Sequence, residues 1–351
     1  MSGGVDSSVA AALLAEQGYD VIGVAMRLWG EATGSGCCSL DDFLDARRVA
    51  AKLDIPFYVM DFRDDFERQV VAPFVSEYLA GRTPNPCARC NQFVKFAALW
   101  DRARELGAEW IATGHYARVR HPPEVRESEL WAAADRDKDQ SYYLFGIGAD
   151  VLARTLFPVG ELCKAEVRER ARALGLPVAD KPESQEICFA PRSGYAHLVA
   201  QRSSPSAIRP GVVVDEEGRV LGHHDGIHRF TVGQRRGLGL SSGKPLYVLD
   251  IEEQRGVVRV GPRAATLSHG LLAVRANWLS APPRAGDRLA LKIRSRFAPV
   301  PVTACRVSEG EFEVLAEQAL AAVAPGQAAV LYDGDRVVGG GWIERRTTAC
   351  E

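Results

Sequence analysis

The chain has 351 residues, of which 46% are apolar and 25% charged, with a formal charge of −2. That is the composition of a globular protein with room for about two domains. Its apolar runs are strand-length, far short of the roughly 20 residues a membrane helix needs, and its eight cysteines are too sparse for a disulfide scaffold.

The first 180 residues alternate helical and strand patterns. Ser7–Gln17 is an Ala/Leu-rich helix stopped by Gly18, and Asp20–Trp29 is a short apolar run suited to a buried strand. Leu40–Leu53 is amphipathic, with Leu44, Val49 and Leu53 on one face, and Ile55–Phe62 is the next strand. Asp64–Leu79 and Asn91–Leu106 read as helices, Trp110–Thr113 as a strand, and Lys164–Leu174 as a helix closed by Gly175. This alternation predicts an α/β fold, a doubly wound parallel sheet covered by helices on both faces. After a linker at Gln201–Pro210 the texture becomes short strands, Gly211–Val214, Pro245–Ile251, Gly256–Val260 and Ala328–Tyr332, separated by Gly, Pro and Asp-Gly turns. We expect residues 1–200 to form the α/β domain, 201–270 a small β-rich domain and 271–351 a C-terminal β-barrel. Residues 205–351 carry 19 Lys and Arg against 16 Asp and Glu, and residues 1–204 carry 24 against 29. A nucleic-acid partner is therefore allowed but not announced by charge.

Ser2-Gly3-Gly4-Val5-Asp6-Ser7-Ser8 runs straight into the first helix. Two glycines permit close approach of a ligand, hydroxyls and unpaired amides at a helix N-terminus suit phosphate oxygens, and Asp6 could hold Mg2+. A bare helix cap with leftover turn glycines would look similar. The string lacks the Gly-x4-Gly-Lys-Ser/Thr of kinase-type loops. It resembles the loop of the adenine nucleotide α-hydrolase-like synthetases, which cut ATP between its α- and β-phosphates. Such loops follow a buried strand, whereas this sequence begins at the loop, so a start further upstream is expected.

Thr83-Pro-Asn85-Pro86-Cys87-Ala-Arg-Cys90 is a Pro-rich turn entering a helix. A Cys-x2-Cys at a helix N-terminus favours thiolate. Half of a zinc site would need a second pair, and none has suitable spacing. Cys188 follows the polar run Glu183–Glu186 and is flanked by Ile187 and Phe189. Alone it would read as a core residue.

Taken together, SGGVDSS, TPNPCARCN, GHYAR, DKDQSYYLF, KPESQEICF, FTVGQRRGLGL and GGGWI closely resemble the bacterial tRNA-specific 2-thiouridylases (tRNA-uridine 2-sulfurtransferases), nearly end to end. The resemblance implies ATP-dependent exchange of oxygen for sulfur at C2 of the wobble uridine in lysine, glutamate and glutamine tRNAs. It implies a cysteine desulfurase or sulfur-relay protein as partner; a cytoplasmic setting is expected instead from the sparse cysteines and the N-terminus, which shows no export signal. It makes Cys90 the nucleophile and Cys188 the persulfide carrier, joined in a disulfide after transfer. Residues 2–8, Met26 and Gly114 match ATP contacts. Asn85, Pro86 and Cys87 match the segment that touches the target base. His115, Lys138, Asp139, Gln140, Arg294, Ser295 and Gln327 match tRNA contacts.

Cys87 stands where many members of that family carry Asp. Three thiolates, Cys87, Cys90 and Cys188, could instead ligate a [4Fe–4S] cluster with one iron left open, so persulfide and cluster routes are both open. Two other functions compete: a non-catalytic RNA-binding protein retaining the ATP fold, and a different ATP-splitting synthetase. The second would not need three placed cysteines or a β-barrel tail. Among weaker signals, His223, His224 and His228 lack the spacing of a known metal site. Cys37 and Cys38 read as loop thiols, and Cys163, Cys305 and Cys350 as partnerless. Phe230–Gly239, with Arg235 and Arg236, suits either a phosphate contact or a solvated turn.

Overall fold

The computed structural model describes residues 1–29, 39–122, 127–182, 187–191, 193–241 and 243–348. The chain divides into two compact units. One comprises Met1–Val70, Cys87–Arg192 and Asp335–Val337, the other Val71–Pro86, Ser193–Gly334 and Val338–Glu351.

The first unit opens with α1 (Val5–Glu16), β1 (Gly23–Arg27), α2 (Leu40–Lys52) and β2 (Phe57–Asp61). These lie where the apolar patterning puts them, and β1 and β2 pair in parallel, Gly23 opposite Phe57 through Arg27 opposite Asp61. Helix α2 starts on a reciprocal cap: Asp42 N–H donates to Ser39 Oγ at 3.1 Å, and Ser39 N–H to Asp42 Oδ2 at 3.2 Å. Helix α3 covers residues 86–105 and starts five residues earlier than expected, with Pro86 as its first helical residue. It widens into π-turns over Asn91–Ala98.

Strand β3 (Ile111–Ala112) is followed by an antiparallel hairpin, β4 (Ala117–Arg120) and β5 (Glu129–Ala132), that the sequence reading missed. β6 (Thr155–Leu156) then pairs in parallel with β3, and α4 (Lys164–Ala173) follows. Val5, Val9 and Leu13 of α1 pack with Val167 and Ala171 of α4 and with Val159, all buried. That core fixes the N-terminus of α1 against the N-terminus of α4.

In the second unit α5 (Tyr195–Arg202) precedes four strands, β7 (Gly211–Val214), β8 (Val220–His224), β9 (Tyr247–Glu252) and β10 (Val257–Gly261), ordered β8-β7-β10-β9. Val213, Val248, Val258 and Val260 alternate inward with Phe230 to fill their core. The remaining strands are β11 (Leu267–Trp278), β12 (Arg288–Lys292), β13 (Val300–Val307), β14 (Glu311–Ala321), β15 (Ala328–Asp333) and β16 (Arg336–Thr347). They run β11-β14-β13-β12-β15-β16 and close by β16 pairing with β11, a six-stranded barrel around Leu271, Leu291, Phe312 and Val314. Among the described residues closure pairs the two outer strands of this barrel with each other.

Candidate active site

Gly4 is the N-cap of α1, in extended conformation. Gly3 before it has φ +71°, and a Cβ there would lie 2.2 Å from the carbonyl oxygen of Asp42. Only glycine is tolerated, on both steric and dihedral grounds. Gly114, just past β3, packs on the peptide between Asp6 and Ser7, where a Cβ would lie 2.5 Å from Asp6 C and Ser7 N. The structure thus brings Gly114 onto residues 2–8. Within the loop Ser8 Oγ donates to Gly4 O at 2.9 Å, Ser7 Oγ to the same carbonyl at 3.2 Å, and Ser2 N–H to Ser7 Oγ at 3.1 Å. The glycine cradle and the amides of a 12-residue helix suit a nucleotide's phosphates. Met26 lies on β1, opposite Met60.

Asp6 is more engaged than its reading as a Mg2+ ligand anticipates. Lys164 Nζ donates to both its carboxylate oxygens, at 2.7 and 2.8 Å, and the Tyr116 hydroxyl donates to Oδ1 at 2.7 Å. Neither Lys164 nor Tyr116 was singled out from the sequence. Spacing within one motif gives no signal for a lysine 158 positions away.

Tyr116 leads to the segment Lys138-Asp139-Gln140. Its backbone N–H donates to Gln140 Oε1 at 2.9 Å, and Gln140 N–H donates to Tyr116 O at 2.8 Å. The Asp139 carboxylate accepts from Ala133 N–H, Ser141 N–H and Ser141 Oγ at 3.0–3.1 Å. The side chains of Asp139 and Gln140 therefore shape this segment from inside, while Lys138 is half-buried.

His115 sits between Phe96 and Phe157, ring centroids 5.8 and 6.3 Å away, with Nδ1 2.8 Å from Thr113 Oγ1. Burial, with Lys95 adding to it, pushes its pKa down to about 3. The ring is neutral at physiological pH and any contact it makes with RNA is not that of a cation. A histidine whose folded pKa is depressed binds its proton in the unfolded chain first, so stability rises with pH between about 3 and 6.5 and is flat above. Burial depresses His224 and His228 in the same direction. We expect lowering the pH from 8 to 5 to cost about 2 kcal/mol through His115 alone, and His115→Gln to shrink that loss, as measured by denaturant unfolding at the two pH values.

Among the thiols, Cys87 is exposed and Cys90 buried on the first turns of α3, and Cys188 is half-buried. None of the three is in a disulfide. Phe189 is buried in an aromatic cluster with Trp29 and Phe66, centroids 6.0 and 5.5 Å away, which anchors the chain beside Cys188. Residues 183–186 lie outside the described residues. Among the described residues no three His, Cys, Asp or Glu side chains are grouped to hold a metal ion. Cys87, Cys90 and Cys188 belong to no such group.

The segment before Cys87 is gripped by Gln327, whose Nε2 donates to Thr83 O at 3.0 Å and Pro84 O at 3.1 Å. Thr83 N–H donates to Pro325 O at 2.8 Å, and Asn85 is 6% exposed. Gln327 is thus fixed on the carbonyls of Thr83 and Pro84, just before Asn85 in the chain. Two amide hydrogen bonds are worth about 1–3 kcal/mol together. Gln327→Ala is therefore expected to lower stability by about 1–3 kcal/mol, read by denaturant unfolding. Gln327→Glu, which faces two carbonyls with a carboxylate, should fall at least as far in the same assay.

Arg294 donates to Ala321 O and, at 3.3 Å, to Ala322 O, and Ser295 follows it half-buried. His224 Nε2 lies 3.1 Å from Gly256 O and its ring 5.2 Å from Phe230, a packing role. In the Phe230–Gly239 stretch Gln234 is spent on the turn itself, accepting from Thr231 N–H and donating to Arg236 O, while Arg235 and Arg236 are exposed. Cys163 caps α4. Cys305, expected to stand alone, is disulfide-bonded, and Cys37, Cys38 and Cys350 lie outside the described residues.

An α/β unit with a phosphate-type loop and placed thiols, continued by β domains, defines a class of nucleotide-using enzyme, and comparison with known proteins narrows it. The family model described as tRNA methyl transferase HUP domain matches residues 1–192. The tRNA methyl transferase PRC-barrel domain matches 199–262, and the aminomethyltransferase β-barrel domain matches 268–343. A protein named tRNA-specific 2-thiouridylase from Geotalea uraniireducens is 50% identical over 98% of this chain and 93% of its own length. Relatives of the same name from Solibacter usitatus and Geobacter metallireducens are each 48% identical, over 98% and 99% of this chain and 98% and 96% of theirs. The chain belongs to the tRNA-specific 2-thiouridylase family, the tRNA-uridine 2-sulfurtransferases.

Proposed function

We propose that the protein carries out ATP-dependent 2-thiolation of the wobble uridine in lysine, glutamate and glutamine tRNAs, in the cytoplasm, with sulfur delivered by a cysteine desulfurase or relay protein. The observation that carries the reading is the union, in one compact unit, of the loop around Gly3 and Gly114 with the thiols Cys90 and Cys188.

A carbonyl oxygen is a poor leaving group. Transfer of the adenylyl group of ATP to the C2 oxygen, with attack at the α-phosphorus, releases pyrophosphate and makes that oxygen part of an AMP leaving group. Residues 2–8, with Met26 and Gly114, bind the nucleotide in this scheme. Mg2+ supplies charge neutralisation to the phosphates when bound. The terminal sulfur of a Cys188 persulfide attacks C2 and expels AMP, leaving a C2–S–S–Cys188 link. The Cys90 thiolate attacks Cys188 Sγ, breaking the S–S bond. The thiocarbonyl departs on the base, and a Cys90–Cys188 disulfide remains for a cellular thiol to reduce.

The base must leave the anticodon stack to be reached. Asn85, Pro86 and Cys87 would touch it there, and His115, Lys138–Gln140, Arg294, Ser295 and Gln327 would hold the tRNA. The division into 1–200, 201–270 and 271–351 goes with this reading: chemistry and part of the tRNA grip in the first part, further tRNA grip in the β-rich parts. The test is nucleoside mass spectrometry of tRNA incubated with the protein, ATP, Mg2+, cysteine and a cysteine desulfurase. We expect 2-thiouridine at the wobble position, with one AMP and one pyrophosphate per sulfur inserted. Binding of tRNA with neither thiolation nor pyrophosphate release would overturn the reading and leave a non-catalytic RNA-binding protein.

A further inference from the structure

Asp6 is an acid in the first turn of α1, where a bound ATP would bring about four negative charges. A bare carboxylate there opposes the phosphates that the neighbouring amides attract. The structure resolves the conflict with Lys164, whose ammonium straddles both Asp6 oxygens at 2.7 and 2.8 Å. The lysine side chain is 12% exposed and Asp6 29%, so the pair sits at the mouth of the loop, neither free in solvent nor sealed in the core. Four further contacts fix it. The Tyr116 hydroxyl donates to Asp6 Oδ1, and the Tyr116 ring lies 5.6 Å from Lys164 Nζ. Lys164 N–H donates to Asp135 Oδ2 at 2.9 Å, pinning the start of α4. Gly114 is packed on the Asp6–Ser7 peptide, which holds the backbone that carries the carboxylate.

We propose that Lys164 is a nucleotide-binding residue of this site, its ammonium supplying charge to the ATP phosphates, and that Asp6 is a positioning residue that acts by holding Lys164. The proposal rests on the reading of residues 2–8 as an ATP loop. It also separates the pair from a mere strut between α1 and α4, since a strut would change stability but not affinity for nucleotide.

The test is ATP binding to the full-length protein by calorimetry, in EDTA and again with Mg2+, beside tRNA binding and thermal unfolding. Lys164→Met is expected to weaken ATP binding in EDTA at least 10-fold with tRNA affinity within 2-fold of the parent, and Lys164→Arg to recover part of the loss. Asp6→Asn is expected to weaken ATP binding in EDTA as well, which a pure metal ligand would not do. A folded Lys164→Met protein that binds ATP within 2-fold of the parent overturns the proposal. If Lys164→Met does not fold, Tyr116→Phe decides: it removes one hydrogen bond to Asp6, and a 3-fold or larger loss of ATP affinity is expected, unchanged affinity overturning the proposal. A parent protein that binds no ATP at all would sink the ATP-loop reading itself. A parent that binds ATP and thiolates, alongside variants that do the same, would sink only the role of Lys164.

Discussion

Under the proposed mechanism Cys188→Ser is expected to lower thiolation by at least about 10³-fold while tRNA-dependent pyrophosphate release continues, because the serine variant keeps the proposed ATP loop and loses only the atom assigned to carry sulfur. The half-buried position of Cys188 beside the buried Phe189 makes serine a small change in packing, so the loss reads chemistry rather than folding. Cys90→Ser should fail at a different step. Without the resolving thiol the sulfur stays linked to both partners, and a tRNA–protein adduct should accumulate that runs slowly on a non-reducing gel. Dithiothreitol should release 2-thiouridine from it, since an external thiol can cut the S–S bond that Cys90 would have cut. If Cys90→Ser stopped pyrophosphate release instead, Cys90 would act in activation and not in resolution. Cys87→Asp restores the carboxylate that many members of the family carry and is expected to retain thiolation. Loss of activity there, with Cys87→Ser active, would show that this exposed position tolerates no charge.

The residues that act through their own chemistry were the legible ones. Gly3, Gly4 and Ser7 announce a phosphate loop because the backbone must come close and hydroxyls must face it. Cys87 and Cys90 announce themselves because Pro86 starts a helix beneath them. Elements with a strong period, α1, α2 and β7 among them, lie within a few residues of their expected bounds. The hairpin β4–β5 was missed because Ala117–Arg120 and Glu129–Ala132 alternate too briefly to register. Barrel closure by β11 and β16 depends on a pairing between strands far apart in sequence, which no local pattern reports. The same limit hid Lys164, Tyr116 and the grip of Gln327 on Thr83 and Pro84. In each case the sequence held the side chain and only the fold held the partner.

Gly114 offers the sharpest steric test of the nucleotide site. Its φ is ordinary, so alanine there brings no dihedral strain, and the whole effect comes from a methyl group forced to within 2.5 Å of the Asp6–Ser7 peptide. Backbone on both sides cannot move aside as a flexible side chain would. The start of α1 must shift, and with it the amides and the Asp6 carboxylate. We expect Gly114→Ala to lower ATP affinity at least about 10-fold and stability by about 1–3 kcal/mol, the range for overpacking. Stability alone cannot account for the affinity loss, and Gly18→Ala makes the separation. Gly18 has φ +85° with open space around it, so alanine there costs about 1 kcal/mol of backbone strain at the far end of the same helix without touching the loop. Equal ATP affinity in Gly18→Ala and the parent, beside the loss in Gly114→Ala, would tie the effect to the loop. Weakening of both by the same factor would instead mean that nucleotide affinity follows the stability of α1, and the close approach of Gly114 would be a packing feature only.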